Sequence, residues 1–197
     1  MLKRLLSDSV SIVFGNLETV FKVCGGWFLL QFVLSLFILA YGAQIDEATA
    51  PEDISGTTVL LLVTTMVIAL LSSASISVAW HRFGLLNERP GPLHFRVGAV
   101  EFRFIGQMLL LSLAAVVVVL PAGLVIGVLS SLFNSTAMTV VLWIVAIFIL
   151  APFLFRLNLS LPAVAVERPL GFSQMLKFGK GLGMPMFLAA LILILPF

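Results

Sequence analysis

Residues 79–104, AWHRFGLLNERPGPLHFRVGAVEFRF, gather Arg82, Arg89, Arg96 and Arg103, both histidines of the chain (His81 and His94) and Glu88 and Glu101 within an otherwise apolar sequence. Three chemistries use such a set. Arginines neutralise nucleic-acid phosphates, histidines with carboxylates hold metal ions, and basic loops of membrane proteins meet anionic headgroups. A formal net charge of +2, spread along the chain, is too small for a nucleic-acid surface. Cys24 is the single cysteine, so no intramolecular disulfide forms, and no Cys/His cluster has zinc-ligand spacing. Beside Gly25 and Gly26, Cys24 reads as a small packing residue. His81, next to Trp80, has the setting of a haem or chlorophyll ligand, but a lone histidine at the rim of an apolar run reads first as a belt residue; His94 reads the same way.

The rest of the sequence decides among these chemistries. Hydrophobic residues make up 61% of the 197 and charged residues only 10%, with a mean hydropathy of +1.20. A soluble domain of this length needs charged residues for about a quarter of its positions to cover its core. That cover is missing, so lipid must take its place.

The apolar runs set the expected fold, an all-α polytopic transmembrane bundle forming one domain over 1–197. Spans are expected at about 23–43, 57–80, 104–132 and 137–155, with a shorter run at 184–197. Each of the first four can cross a hydrocarbon core of about 30 Å as a helix, the only open-chain form that satisfies its own backbone there. The third is expected to break at Pro121. The fifth run has two readings: a half-span packed in protein, or the start of a helix that continues in a longer protein, giving six spans. The second is favoured. Near the N-terminus, Ser7, Asp8, Ser9 and Ser11 interrupt the apolar stretch that a cleaved signal needs.

Charge sets the expected orientation. The connection 44–56 carries Asp46, Glu47, Glu52 and Asp53 without a basic residue, and the turn Asn134–Thr136 is uncharged. All eleven basic residues fall on the opposite side, so the positive-inside rule places the N-terminus in the cytoplasm and 79–104 in a cytoplasmic connection. Trp27, Trp80 and Tyr41 fall where an aromatic belt belongs. Asn134-Ser135-Thr136 matches a glycosylation triplet but lies too close to the membrane to be used.

A three-fold pattern runs through the chain. Leu2, Leu5, Leu6, Val13, Phe14, Leu17 and Phe21 share one face of a helix over 1–21, with Lys3, Arg4, Asp8 and Glu18 mainly on the other, as in a helix lying on the cytoplasmic surface. Residues 86–103 precede the third span, and 170–180 precede the fifth run, in the same manner. This suggests repeated units of surface segment, rising helix and descending helix.

Candidate site residues are few, because the first three spans hold no ionisable group near mid-membrane and only Gln31 and Gln107 are strongly polar there. No Ser/His/Asp order, phosphate-cradling glycine loop or HExxH motif occurs, so neither catalytic, cofactor nor metal residues are expected. Arg156 follows the fourth span in FLFRLNLSLPAVAV, a run that stays apolar until Pro162 is expected to end it. It reads either as a snorkelling interfacial arginine or, with Glu101 and beside Arg82 and Arg103, as a latch or lipid-headgroup site. Gly123, Gly127 and Ser131 on the third span, and Ser73 and Ser77 on the second, form small-residue ridges for close helix contact.

VAWHRFGLLNERPG, then EFRFIG at the head of a span, then FRLNLSLPAVAVERPLGF and a short amphipathic helix ending in GKGLG resemble uncharacterised proteobacterial inner-membrane proteins. These in turn resemble the membrane domain that accompanies some glycerophosphoryl diester phosphodiesterases. The resemblance implies a bacterial cytoplasmic membrane, six helices in the complete protein and no catalytic barrel. It carries no functional residue across. The expectation is a non-catalytic accessory, assembly or scaffolding subunit acting through helix contacts with other membrane proteins. The alternative is a lipid-binding or transport component with an anionic lipid at its cytoplasmic face, and nucleic acid is excluded.

Overall fold

The computed structural model describes residues 2–41 and 55–194; Asp46, Glu47, Glu52, Asp53, the Tyr41 ring and Pro196–Phe197 lie outside them. Eight α-helices and no strand occur among the described residues: α1 (Leu2–Phe14), α2 (Leu17–Tyr41), α3 (Gly56–Leu86), α4 (Ala99–Phe133), α5 (Thr136–Leu157), α6 (Ser160–Ala165), α7 (Phe172–Phe178) and α8 (Gly183–Ile194). Four segments, Leu17–Ala40, Gly56–Leu86, Ala99–Phe133 and Thr136–Ala165, are long and apolar enough to cross a bilayer. The chain is a multi-pass helical membrane protein. It divides into two compact units, one of residues 15–105 and one of residues 1–14 with 106–197.

In the first unit α2 and α3 run antiparallel, because Trp27 meets Ser75 while Gln31, one turn on, meets Ser72. Trp27 Nε1 donates to Ser75 Oγ at 3.2 Å and Gln31 Nε2 to Ser72 Oγ at 2.5 Å. Both serines are fully enclosed, with Ala74, Val78 and Ala79 beside them. Lipid tails are as apolar as leucine, so close packing and such cross-helix bonds hold the pair where the hydrophobic effect cannot. Ser55 caps α3 by accepting from the Thr58 amide at 3.2 Å, and Asn87, in the left-handed region at φ 54°, closes it.

In the second unit α5 and α8 pack antiparallel. The Phe187 ring lies edge-on to Phe148 at 5.5 Å and reaches Phe155 at 6.1 Å, with α1 also resting on α8. Gln107 Nε2 donates to Ser160 Oγ at 3.0 Å, joining α4 to α6. The turn between α4 and α5 needs only Asn134, at φ 45°, to end one helix and Ser135 to cap the next. α7 and α8 meet at 77°, and Gly181 supplies the positive φ of 79° at their corner.

Several boundaries differ from the sequence reading. The amphipathic helix stops at Phe14, and a turn at Gly15–Asn16 separates it from 17–21, which open α2. Pro121 does not break α4. It lacks the donor that would serve the Val117 carbonyl, a loss confined to one bond, whereas a full break in hydrocarbon would orphan several backbone groups. Nor does Pro162 end the fourth span. It sits in the first turn of α6, where a missing N–H is harmless, and the interruption falls earlier at Asn158–Leu159. Residues 87–98 are irregular, so among the surface segments only α1 and α7 are helical.

A Cβ at Gly183 would land on the Pro152 carbonyl oxygen, a backbone atom that cannot step aside, whereas Gly25 has open space around it. Gly183→Ala should therefore cost about 1–3 kcal/mol and lower the thermal midpoint of the detergent-solubilised protein, with Gly25→Ala leaving it unchanged or slightly raised. Equal midpoints for the two variants would contradict the α5–α8 seat.

Candidate functional site

The basic connection between α3 and α4 is pinned to α2. Phe95 stacks edge-on against Trp27, with ring centroids 5.0 Å apart. Its ring occupies the notch left by Gly26, where a Cβ would stand 2.6 Å from Phe95 Cζ. The His94 amide donates to the Lys22 carbonyl at 3.3 Å. With α3 closed by Asn87, these contacts fix both ends of 87–98, and a polar pocket of about 150 Å³ forms over Val78 and Ala79. That is about the size of a cavity able to admit a benzene-sized molecule.

Charged side chains make the pocket. Arg82 Nε donates to Glu88 Oε2 at 2.6 Å, and Arg89 and Arg96 stand beside them. At the base is Glu101, only 1% exposed. Its Oε2 accepts from the Gly98 amide at 2.8 Å, one half of a capping box at the start of α4, and the helix dipole favours a carboxylate there. Its Oε1 accepts no hydrogen bond. The Arg96 Nε lies 3.8 Å from it, on a side chain that is 56% exposed. His94 Nε2 is likewise buried without a hydrogen-bond partner. Burial holds the His94 imidazole below its ordinary pKa, with Arg96 adding to the effect and Glu101 and Glu88 opposing it. At neutral pH the ring is therefore uncharged. Among the described residues no three His, Cys, Asp or Glu side chains are close enough together to hold a metal ion.

The residues singled out from sequence are distributed as follows. Glu101 and Arg82 line this pocket, while Arg103 is exposed on α4. Arg156 belongs to the other unit. Its stem fills the space over Gly179 and its Nε lies over Gly183, where it is buried without a hydrogen-bond acceptor. Gly123 faces the Trp143 ring of α5, Gly127 has nothing within 4 Å of a Cβ position, and Ser131 is exposed. On α3, Ser73 is exposed and Ser77 half-buried; the serines that bond to α2 are Ser72 and Ser75. His81 lies near Phe104, 6.2 Å between ring centres. Sequence reasoning missed Arg89, Arg96, Glu88 and His94 as members of one site. The available signal was the Gly98 to Glu101 spacing of a helix start with Phe95 just before it.

No family model, curated protein or solved structure matches the chain.

Two outcomes follow. Phe95→Ala should release 87–98 and speed tryptic cleavage after Arg96 in the solubilised protein, and an unchanged cleavage rate would mean that the stack on Trp27 does not hold the loop. The lowered pKa of His94 also makes stability depend on pH. The unfolded chain takes up a proton near 6.5, and the folded one resists until lower pH. Stability should therefore be full above 6.5 and decline as the pH falls from there through the lower folded value. Thermal midpoints between pH 8 and pH 5, about the range in which a histidine titrates, should show this decline, and His94→Gln should flatten that part of the profile.

Proposed function

We propose that the protein is a non-catalytic, multi-pass protein of a bacterial cytoplasmic membrane that holds the phosphate-bearing headgroup of a phospholipid between α3 and α4. The observation that carries this reading is the pocket itself. It brings Arg82, Arg89 and Arg96 together at the ends of two apolar spans, and arginine is the side chain best suited to bind phosphate through paired hydrogen bonds. Placement at a span end is also where a headgroup lies. The distribution of all eleven basic residues supports a cytoplasmic N-terminus and a cytoplasmic pocket.

A second reading, an accessory or scaffolding subunit of a membrane complex, is favoured by the outer part of α4. There Gly127 and Ser131 leave a small-residue face without a neighbour among the described residues, of the kind used for close helix contact.

The two readings separate on purification of the full chain in a mild detergent followed by native mass spectrometry. Lipid binding predicts retained phospholipid, its affinity reduced roughly a hundredfold or more in Arg89→Gln/Arg96→Gln, since each of the two charge-assisted bonds lost contributes on the order of 1.5–3 kcal/mol. A stoichiometric protein partner that is lost in Gly127→Leu, with lipid content unaffected by the arginine changes, would favour the subunit reading.

A further inference from the structure

We propose that the headgroup taken by this pocket is a zwitterion, the phosphoethanolamine of an ethanolamine phospholipid, its primary ammonium on Glu101 Oε1 and its phosphate on Arg96 and Arg89. The inference rests on the lipid-binding reading and names its substrate class.

Phosphate recognition alone leaves the chemistry of the pocket unexplained. A site for a simple anion has no use for a carboxylate, yet Glu101 is buried at the base of this one with an oxygen that accepts no hydrogen bond. A buried acceptor left unmade costs its full desolvation, which a ligand donor relieves. Arg96 Nε pairs with Glu101 Oε1 at 3.8 Å from a side chain more than half exposed, so it can swing out to a phosphate at little cost. When it does, Glu101 loses its counter-charge, and an ammonium group supplies that charge again. A glycerol hydroxyl could donate to Oε1 but would bring no positive charge. His94 Nε2, also buried and unpartnered, offers a second polar atom on the same wall.

The pocket also discriminates among cations. A metal ion is disfavoured, since no group of three suitable side chains gathers among the described residues. A choline headgroup has no N–H to donate, and proteins hold it with aromatic faces. No Phe, Tyr or Trp ring lines this pocket, and Phe95, between His94 and Arg96, is committed to Trp27. A volume of about 150 Å³ suits a small primary amine.

The test uses the delipidated full chain in detergent, titrated with phospholipids of identical acyl chains whose headgroups run from ethanolamine through its mono- and dimethyl forms to choline, together with phosphatidylglycerol. Binding is read by native mass spectrometry. Ethanolamine lipid should bind roughly tenfold or more tightly than choline lipid, the difference one charge-assisted hydrogen bond provides, with affinity falling as methyl groups are added. Glu101→Gln should abolish that preference, whereas Arg89→Gln should weaken every headgroup alike. The methylation series needs no variant, so a misfolded Glu101→Gln protein leaves the proposal open to refutation. Equal binding of ethanolamine and choline lipids would overturn it and leave headgroup binding standing. Absence of binding by every phospholipid would overturn both. Displacement of the lipid by soluble phosphoethanolamine at the same concentration would assign the pocket to the free compound and overturn the lipid as ligand.

Discussion

The Trp27 indole joins two packing problems. Its N–H reaches across to Ser75 and sets the register of α2 on α3, while its ring carries Phe95 and with it the connection that follows α3. The second contact depends on Gly26, because any side chain there would occupy the place of the Phe95 ring. A single aromatic side chain thus couples the spacing of two spans to the position of His94, Arg96 and Glu101. Indole suits this role, offering a large apolar body and one hydrogen-bond donor.

Elsewhere the same economy of polar groups recurs. Gln31 with Ser72 and Gln107 with Ser160 are paired amides and hydroxyls on helices whose other faces are aliphatic. In hydrocarbon such bonds contribute only about 0.6 kcal/mol on average, since the separated helices find other partners. Their value lies in specifying which faces meet, because an apolar face alone does not distinguish a neighbouring helix from lipid. Small residues complete the specification. Gly183 allows α8 to approach the Pro152 carbonyl, and Gly179 makes room for the Arg156 stem.

The pocket departs from this economy. Glu101 is almost completely enclosed and is tied to the chain by one amide hydrogen bond and a long ion pair. Burying a carboxylate with half its acceptors unused runs against stability, since desolvation of an ion is recovered only through close and complete pairing. Proteins accept such costs mainly at functional sites. Here the cost falls beside Arg82, Arg89 and Arg96, which with Glu88 and Glu101 line a small volume at the ends of two spans.

By itself, the sequence determined the solvent and the class of structure. Runs of about twenty apolar residues have only helical solutions in lipid, which is why the four spans, the Asn134–Ser135 turn and the isolated polarity of Gln31 and Gln107 within spans could be read from residue types. It also marked 79–104 as the chemically distinct stretch. Tertiary structure decided which of those residues meet. Phe95 finds the Gly26 notch seventy residues or so away by packing, a relation with no local signature; Ser72 and Ser75, not Ser73 and Ser77, face α2 because helix rotation is set by the neighbour. Pro121 and Pro162 misled for a related reason. The cost of a proline depends on which backbone bond it removes and on what the surroundings would lose by a break, and both are properties of the folded chain in its solvent. Glu101 shows the division most clearly: its place at the head of α4 follows from sequence, and its burial with one oxygen that accepts no hydrogen bond depends on the loop that folds over it.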